Sequence, residues 1–467
     1  MSQIISINPA TEELIARYDY ISKEEIDQKI KKAEKTFYEW KKVSGNEKKQ
    51  YFLNLAELIQ KEKSNLADLE SKEMGMPYHV SYQGIDKSVG LIKWFAENFQ
   101  DILKEQYYQS EGVKVKSQYD PLGVIYGIAP WNFPFNQVLR AAVPNILAGN
   151  TTIYKHAENV PLCGEKLEEL FKKAGFPDGV YQDIKASTKD TEYIISQKAI
   201  AGVNLTGSEN AGSIVGSLAG KYLKPSVLEL GGNDAFIVAD TSDLSGVAKE
   251  AVKARVSNCG QKCNSSKRFI VRESEYDKFC EYFKEHMENL IVGDPMDSNT
   301  QVGPIARQDL RDKLHYQVQQ TIQQGAKLLT GGYKMEGSGY YYAPTVLADV
   351  TSGMTSYQEE LFGPVASIIK VKDLDEAVEV ANNSDFGLCG CVYGDDINQT
   401  VDIASRIHTG MVFINQPAGS KASLPFGGVK KSGYGKENGP EGLKAFTNKK
   451  VIVYNPQEEN KNNPNFC

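Results

Sequence analysis

Cys263 stands in Gly260-Gln261-Lys262-Cys263, a polar break that follows a helical stretch. A cysteine so placed serves as a nucleophile when nearby donors or cations favour its thiolate. Read alone, it fits a packed core thiol equally well. Glu229 ends an apolar run at Glu229-Leu230-Gly231-Gly232. A carboxylate there acts either as a general base or as half of an ion pair. Asn132 sits in Pro130-Trp131-Asn132-Phe133-Pro134, a rigid turn ahead of a helix that its side chain could cap. In 205–212 (LTGSENAG) a strand runs into a helix. Gly207 permits a sharp turn, and the free N–H groups of the new helix can face an anion such as a pyrophosphate. A plain helix capped by Ser208 is the competing reading. No Gly-x-Gly-x-x-Gly occurs, so spacing alone does not establish a dinucleotide site.

The elements that must position these residues form two alternating series. Residues 23–106 read as helices, with Ile26, Ile30, Ala33 and Phe37 on one face. From 113 onward the pattern changes. Strands are expected over 122–129, 151–155, 180–184, 203–206 and 227–230, with helices over 137–147, 162–174, 193–198 and 210–218 between them. Alternation of this kind specifies a parallel, doubly wound sheet, which binds ligands outside the carboxyl ends of its strands. The chain turns near Gly231-Gly232 into a second α/β unit. Its strands are expected over 236–239, 269–271, 327–329, 366–371, 388–393 and 411–414, and its helices over 244–256, 275–290, 309–324, 374–382 and 398–407. The polar tail after Tyr454 is expected to fray.

Bulk properties narrow the function classes. A chain of 467 residues is long enough for two or three domains. The net charge of −7 argues against a general nucleic-acid binder, which needs a basic surface. The first residues lack the basic start and apolar core of a signal peptide, and no apolar run reaches the ~18 residues that span a bilayer. A cytoplasmic protein without membrane contact is expected. Seven scattered cysteines do not read as a disulfide framework, and five well-separated histidines without Cys-x-x-Cys or His-Glu-x-x-His give no metal site.

Five motifs occur in one order: Asn132 in PWNFP, Glu229 in ELGG, Cys263 in GQKC, Glu360 in EELFGPV (359–365), and PFGGVKKSG (425–433). In this the chain resembles the aldehyde dehydrogenase superfamily over essentially its full length. The resemblance implies an α/β fold: a modified Rossmann cofactor domain (1–102 with 122–231), a second α/β catalytic domain (232–431), and a small β oligomerisation arm (103–121 with 446–467). It implies homodimers or homotetramers. It also implies Cys263 as nucleophile, Glu229 as general base, and Asn132 with the Cys263 backbone N–H as oxyanion hole. For the cofactor it implies Lys155 and Glu158 on the adenosine ribose, Trp131 and Ser208 on the pyrophosphate, and Glu360 on the nicotinamide ribose. Thr206, Gly207, Gly212, Leu230 and Phe362 complete that seat. The Glu158 carboxylate favours NAD, because the 2′-phosphate of NADP would meet like charge; Lys155 partly offsets this, leaving NADP possible. The separation of 34 positions from Glu229 to Cys263 (263 − 229) looks like that of the hydrolytic branch rather than the CoA-acylating one.

Within the superfamily the chain is most similar to bacterial succinate-semialdehyde dehydrogenases, through 303–318 and 426–437. Arg140 matches a carboxylate-binding arginine of some such enzymes. Their second arginine, six residues before the nucleophile, is Ser257 here, with Arg255 two residues earlier. Lys262 and Lys421 are the cations that could compensate. Cys259, four residues before Cys263, is a candidate oxidation partner whose approach spacing cannot establish. The alternatives are a dehydrogenase for another small aldehyde, a CoA-acylating enzyme, and a catalytically silent binding protein on the same fold.

Overall fold

A computed structural model describes residues 3–454. The tail 455–467, including Cys467 and the end of the 446–467 segment, lies outside the described residues.

The N-terminal quarter is helical for local reasons. Helix Lys23–Trp40 starts at a capping box of Ser22 and Glu25, and helix Gly45–Lys61 at one of Ser44 and Glu47. The stripe Ile26, Ile30, Ala33 and Phe37 is buried, as its spacing requires. Helices Lys63–Met74 and Tyr78–Ile102 follow. Two short strands ahead of these helices, Ile4–Ile7 and Leu14–Tyr18, pair antiparallel.

The first sheet has the order Gly433–Tyr434, Ser226–Glu229, Ile200–Thr206, Val124–Ile128, Thr151–Lys155, Tyr181–Asp183. All neighbours are parallel except Gly433–Tyr434. The chain enters at Val124–Ile128, winds outward through two strands, then crosses back to Ile200–Thr206 on the other side. The strand order therefore reverses between Val124–Ile128 and Ile200–Thr206, and a crevice opens at their carboxyl ends. The next residues in the chain there are the PWNFP turn and the Gly207-Ser208 turn. Helix Asn136–Leu147, buried from Gln137 to Leu147, locks the first of these turns against the core.

The second sheet runs Lys327–Thr330, Thr345–Ala348, Val365–Val371, Arg268–Arg272, Ala235–Val238, Cys389–Tyr393, Met411–Ile414. Only Lys327–Thr330 is antiparallel. Thr345–Ala348 was not expected from the sequence. Its four residues, Thr-Val-Leu-Ala, follow a glycine- and tyrosine-rich loop with no alternation to announce them.

A third sheet joins Thr447–Tyr454, Val113–Pro121 and Gln106–Ser110, all antiparallel. It is largely solvent-facing, with Tyr108, Val451, Ile452 and Val453 exposed. No helix among the described residues is long and apolar enough to cross a membrane.

Candidate active site

The carboxyl ends of the first sheet face loops that precede strands of the second. A cavity of about 680 Å³ lies between them. The first sheet supplies Pro130, Trp131, Asn132, Thr206, Gly207, Ser208, Leu230 and Gly231. Loops entering the second sheet supply Cys263, Glu359, Glu360, Phe362, Asp385 and Phe386, and Lys313, Leu314 and Gln317 come from helix Gln308–Gln323. Nine of the residues singled out by sequence therefore share one cavity: Trp131, Asn132, Thr206, Gly207, Ser208, Leu230, Cys263, Glu360 and Phe362.

The loop bearing Cys263 is held from several sides. Asn258, Cys259 and Gly260 have φ of 51°, 56° and 73°, three consecutive left-handed residues that turn the chain sharply after helix Leu244–Val256. A Cβ on Gly260 would strike the Gly363 carbonyl, so only glycine allows that approach. Arg255 is fully buried. It donates to Ser265 Oγ at 2.7 Å, Ser266 O at 3.0 Å, Gly260 O at 3.0 Å and Leu361 O at 2.9 Å, and also to Gly363 O. It is thus a clamp between the nucleophile loop and the 359–365 loop, not a cation free to meet a substrate. Asn132 Nδ2 donates to Gln261 O at 3.0 Å, and Asn258 Nδ2 to Asn132 O at 2.8 Å. These bonds tie the PWNFP turn to the nucleophile loop and leave one Asn132 amide hydrogen for a further acceptor.

Burial pushes the Cys263 thiol up to about 11, against the pull of Arg140 and Lys267. Glu229 is buried at the end of strand Ser226–Glu229, and neither carboxylate oxygen has a protein partner. Burial and the neighbouring Glu437 hold its pKa well above the usual carboxylate range, opposed by Arg140 and Lys436. Its carboxyl lies against Gly427 of PFGG, where any Cβ would collide with it. An unpaired buried carboxyl with raised proton affinity is poised for proton transfer rather than for stability.

The elongated seat expected for a dinucleotide is present in parts. Ser208 caps helix Glu209–Lys221, accepting from the Ala211 N–H, and that helix start opens onto the cavity. Trp131 and Phe362 meet edge to face at 5.6 Å and line the cavity. Glu360 Oε1 accepts the Gly232 N–H at 3.1 Å and pairs with Lys267 at 3.0 Å. Gly212 lies outside the cavity, packed under Leu230 so closely that a Cβ would not fit. Lys155 and Glu158 lie 3.9 Å apart in a separate small recess with His156, Asp183 and Lys185. Lys155 is buried and its proton affinity lowered by that burial, whereas Glu158 is largely solvent-facing.

The substrate-side cations are dispersed. Arg140 is buried, its Nε paired with Glu437 and its guanidinium 4.2 Å from the Phe426 ring centre. Glu437 also accepts from Asn204 at 3.0 Å and Thr206 at 3.4 Å. Lys262 is half-buried beside Cys263 and donates to Ala418 O at 3.4 Å. Lys421 is exposed in the same 415–424 loop. Cys259 points away from this chemistry: it is fully buried, its sulfur accepts the Gly303 N–H at 3.0 Å, and burial pushes its thiol up to about 12. Both it and Cys263 are free thiols. Sequence reasoning did not find Lys267, Lys436 or Glu437. Each is a charged residue in a polar stretch, and the one available signal was Lys267 standing directly ahead of the apolar strand 268–272.

Comparison with known proteins agrees with this geometry. The chain is 42% identical to an NAD(P)+ succinate semialdehyde dehydrogenase of Escherichia coli, over 96% of this chain and 97% of that one. It is 39% identical to an NADP(+) succinate-semialdehyde dehydrogenase of Deinococcus radiodurans, over 97% and 95%. Its fold matches the crystal structure of a succinic semialdehyde dehydrogenase from Streptococcus pyogenes in complex with NADP+. The TM-score is 0.94 at 33% identity, covering 96% of this chain and 99% of that chain. Residues 1–452 match the model of the aldehyde dehydrogenase family, and the chain belongs to that family.

Proposed function

We propose that the protein oxidises succinate semialdehyde to succinate through a thioester on Cys263. The observation that carries this reading is a single half-open thiol, Cys263, facing a cavity it shares with Asn132, the Ser208 helix start and Glu360. The names of the relatives support the substrate.

The residues suggest the following course. The Cys263 thiol gives its proton to solvent, Arg140 and Lys267 favour the thiolate so formed, and that sulfur attacks the aldehyde carbon. The carbonyl oxygen becomes an oxyanion, met by the second Asn132 amide hydrogen and the Cys263 backbone N–H. Removing one such donor typically costs about 2.7–4 kcal/mol of barrier. When bound, the nicotinamide supplies a hydride acceptor for the carbon held on sulfur. Glu229 then takes a proton from water. The resulting hydroxide attacks the thioester, the C–S bond breaks, the proton held by Glu229 passes to the departing sulfur, and the acid is released from the restored Cys263 thiol. Glu360 would hold the nicotinamide ribose, Trp131 and Ser208 the pyrophosphate, and Lys155 with Glu158 the adenosine ribose.

Either cofactor suits this seat: Glu158 speaks for NAD, whereas the names of the relatives speak more for NADP. Glu158 accepts ribose hydroxyls, while the buried ammonium of Lys155 tempers its repulsion of a 2′-phosphate. Lys262 is the cation nearest in sequence to the nucleophile, and it has no carboxylate partner among the described residues. It is the better candidate for the substrate carboxylate than Arg140, which Glu437 already engages. The third sheet, with its exposed valines, is the expected contact between copies of the chain.

A panel of charged and uncharged aldehydes, assayed with NAD and with NADP, tests the reading. Succinate semialdehyde should show the lowest KM, and Lys262→Gln should raise that KM about tenfold while sparing butanal, the loss of one half-buried charged contact. Equal effects on both aldehydes would reject Lys262 as the carboxylate partner.

A further inference from the structure

Lys267 lies four residues after Cys263, at the foot of strand Arg268–Arg272, with a side chain only 2% exposed. Its ammonium donates to Cys263 O at 2.7 Å, Lys262 O at 3.1 Å and Ser265 O at 3.1 Å. It also pairs with Glu360 Oε1 at 3.0 Å. Three N–H donors therefore serve four oxygens. The three carbonyls alone would satisfy a purely structural lysine. The fourth contact reaches a carboxylate that lines the cavity and would hold the cofactor. That same carboxylate oxygen accepts the Gly232 N–H at 3.1 Å, at the hinge between the two α/β units.

We infer that Lys267 is a positioning residue that couples the Glu360 carboxylate to the nucleophile loop. One ammonium fixes the Cys263 backbone and offsets the negative charge that faces the Cys263 sulfur. The inference rests on Cys263 being the nucleophile and Glu360 facing the cofactor. The charges around the sulfur are mixed: Arg140 and Lys267 favour the thiolate, whereas Glu360 and Asp234 oppose it. Asp234 is itself buried, its Oδ1 accepting the Cys389 N–H at 3.0 Å and its carbonyl the Lys267 N–H at 2.9 Å. Lys267 thus pairs directly with the Glu360 carboxylate, and its charge, with that of Arg268, also opposes the effect of burial on the Asp234 carboxyl. Removing it leaves two carboxyls facing the thiol with Arg140 alone against them. Neutralising Glu360 does the reverse, leaving Lys267 uncompensated beside the sulfur.

The test is alkylation of the cofactor-free enzyme by iodoacetamide from neutral to alkaline pH, with the label located on the Cys263 peptide by mass spectrometry. Lys267→Met is expected to slow Cys263 alkylation about tenfold at a fixed pH below the thiol pKa, as loss of a nearby opposite charge requires. Glu360→Gln is expected to speed it by a similar factor. Both variants should bind NAD more weakly, as read by quenching of protein fluorescence. Opposite shifts in thiol reactivity are what a merely structural lysine would not produce. Shifts in the same direction, or none, overturn the inference. If Lys267→Met fails to fold, Glu360→Gln still decides: unchanged or slower alkylation overturns it. If iodoacetamide abolishes wild-type activity without labelling Cys263, the nucleophile assignment is the part that fails, and the coupling falls with it.

Discussion

The two side chains proposed for catalysis both hold their protons more tightly than free cysteine and glutamate do. Burial raises the Cys263 thiol to about 11 and lifts Glu229 far from the usual carboxylate range. For Glu229 the sign follows directly. Below its raised pKa it holds a proton and cannot accept one from water; above it the base is competent. Thioester hydrolysis should therefore accelerate as pH rises, with an acid limb well above the ~4.3 of an ordinary glutamate. Glu229→Gln should give one equivalent of NADH per active site in rapid mixing and then stall. Sustained turnover in that variant would show that another group activates the water. Arg140 illustrates how a residue's role depends on its partner. The sequence marks it as a carboxylate binder, and in the fold its carboxylate is internal, supplied by Glu437.

At the scale of elements, the helices beneath the first sheet carry two buried acids in different settings. Glu73, on helix Lys63–Met74, accepts from Leu162 N at 3.1 Å, Cys163 N at 2.9 Å and Ser6 Oγ at 2.9 Å. It thereby completes the N-terminus of helix Pro161–Lys173. Glu70, one turn earlier, has only the Ser81 hydroxyl, and burial pushes its pKa up to about 8. Between the unfolded value near 4.5 and about 8, the folded chain holds a proton that the unfolded chain has released. Stability contributed by this site is therefore full below that window and declines as pH rises through it. Each tenfold change in proton affinity is worth about 1.4 kcal/mol. Glu70→Gln, which mimics the protonated acid, should match the wild-type melting temperature in mild acid and exceed it by several degrees in mild alkali. A wild-type advantage at alkaline pH would mean that Glu70 is ionised and stabilising in the fold.

Across the whole molecule, the third sheet is the part that a single chain leaves uncovered. Val451 and Val453 are 52% and 59% exposed on a strand that is outermost in its sheet among the described residues. Such a strand invites pairing. On the reading that copies of the chain meet here, Val451→Asp with Val453→Asp should reduce the mass measured by light scattering to that of one chain. An unchanged assembly would place the contact elsewhere.

Much of the architecture was legible because periodicity is a local property. The stripe of Lys23–Trp40 and the strands Thr151–Lys155 and Met411–Ile414 follow from side-chain alternation that any short window contains. Strands Ile4–Ile7 and Thr345–Ala348 were missed, being four residues each and too short to display a period. The residues that line the cleft were legible for a different reason, since Asn132, Ser208, Cys263 and Glu360 each sit in a motif next to an element end.

The sequence by itself determined the order of the motifs, the winding of the two sheets and the chemical types available at the cleft. Only the tertiary structure decided which charges meet. Arg140 finds Glu437 across 297 residues, and Lys267 finds Glu360 across the gap between two loops entering neighbouring strands. It also placed Cys263 at the amino ends of the second sheet, opposite the carboxyl ends of the first. Pairings of this kind depend on how two units pack face to face, and a polar residue far from its partner carries no periodic mark of where it will go.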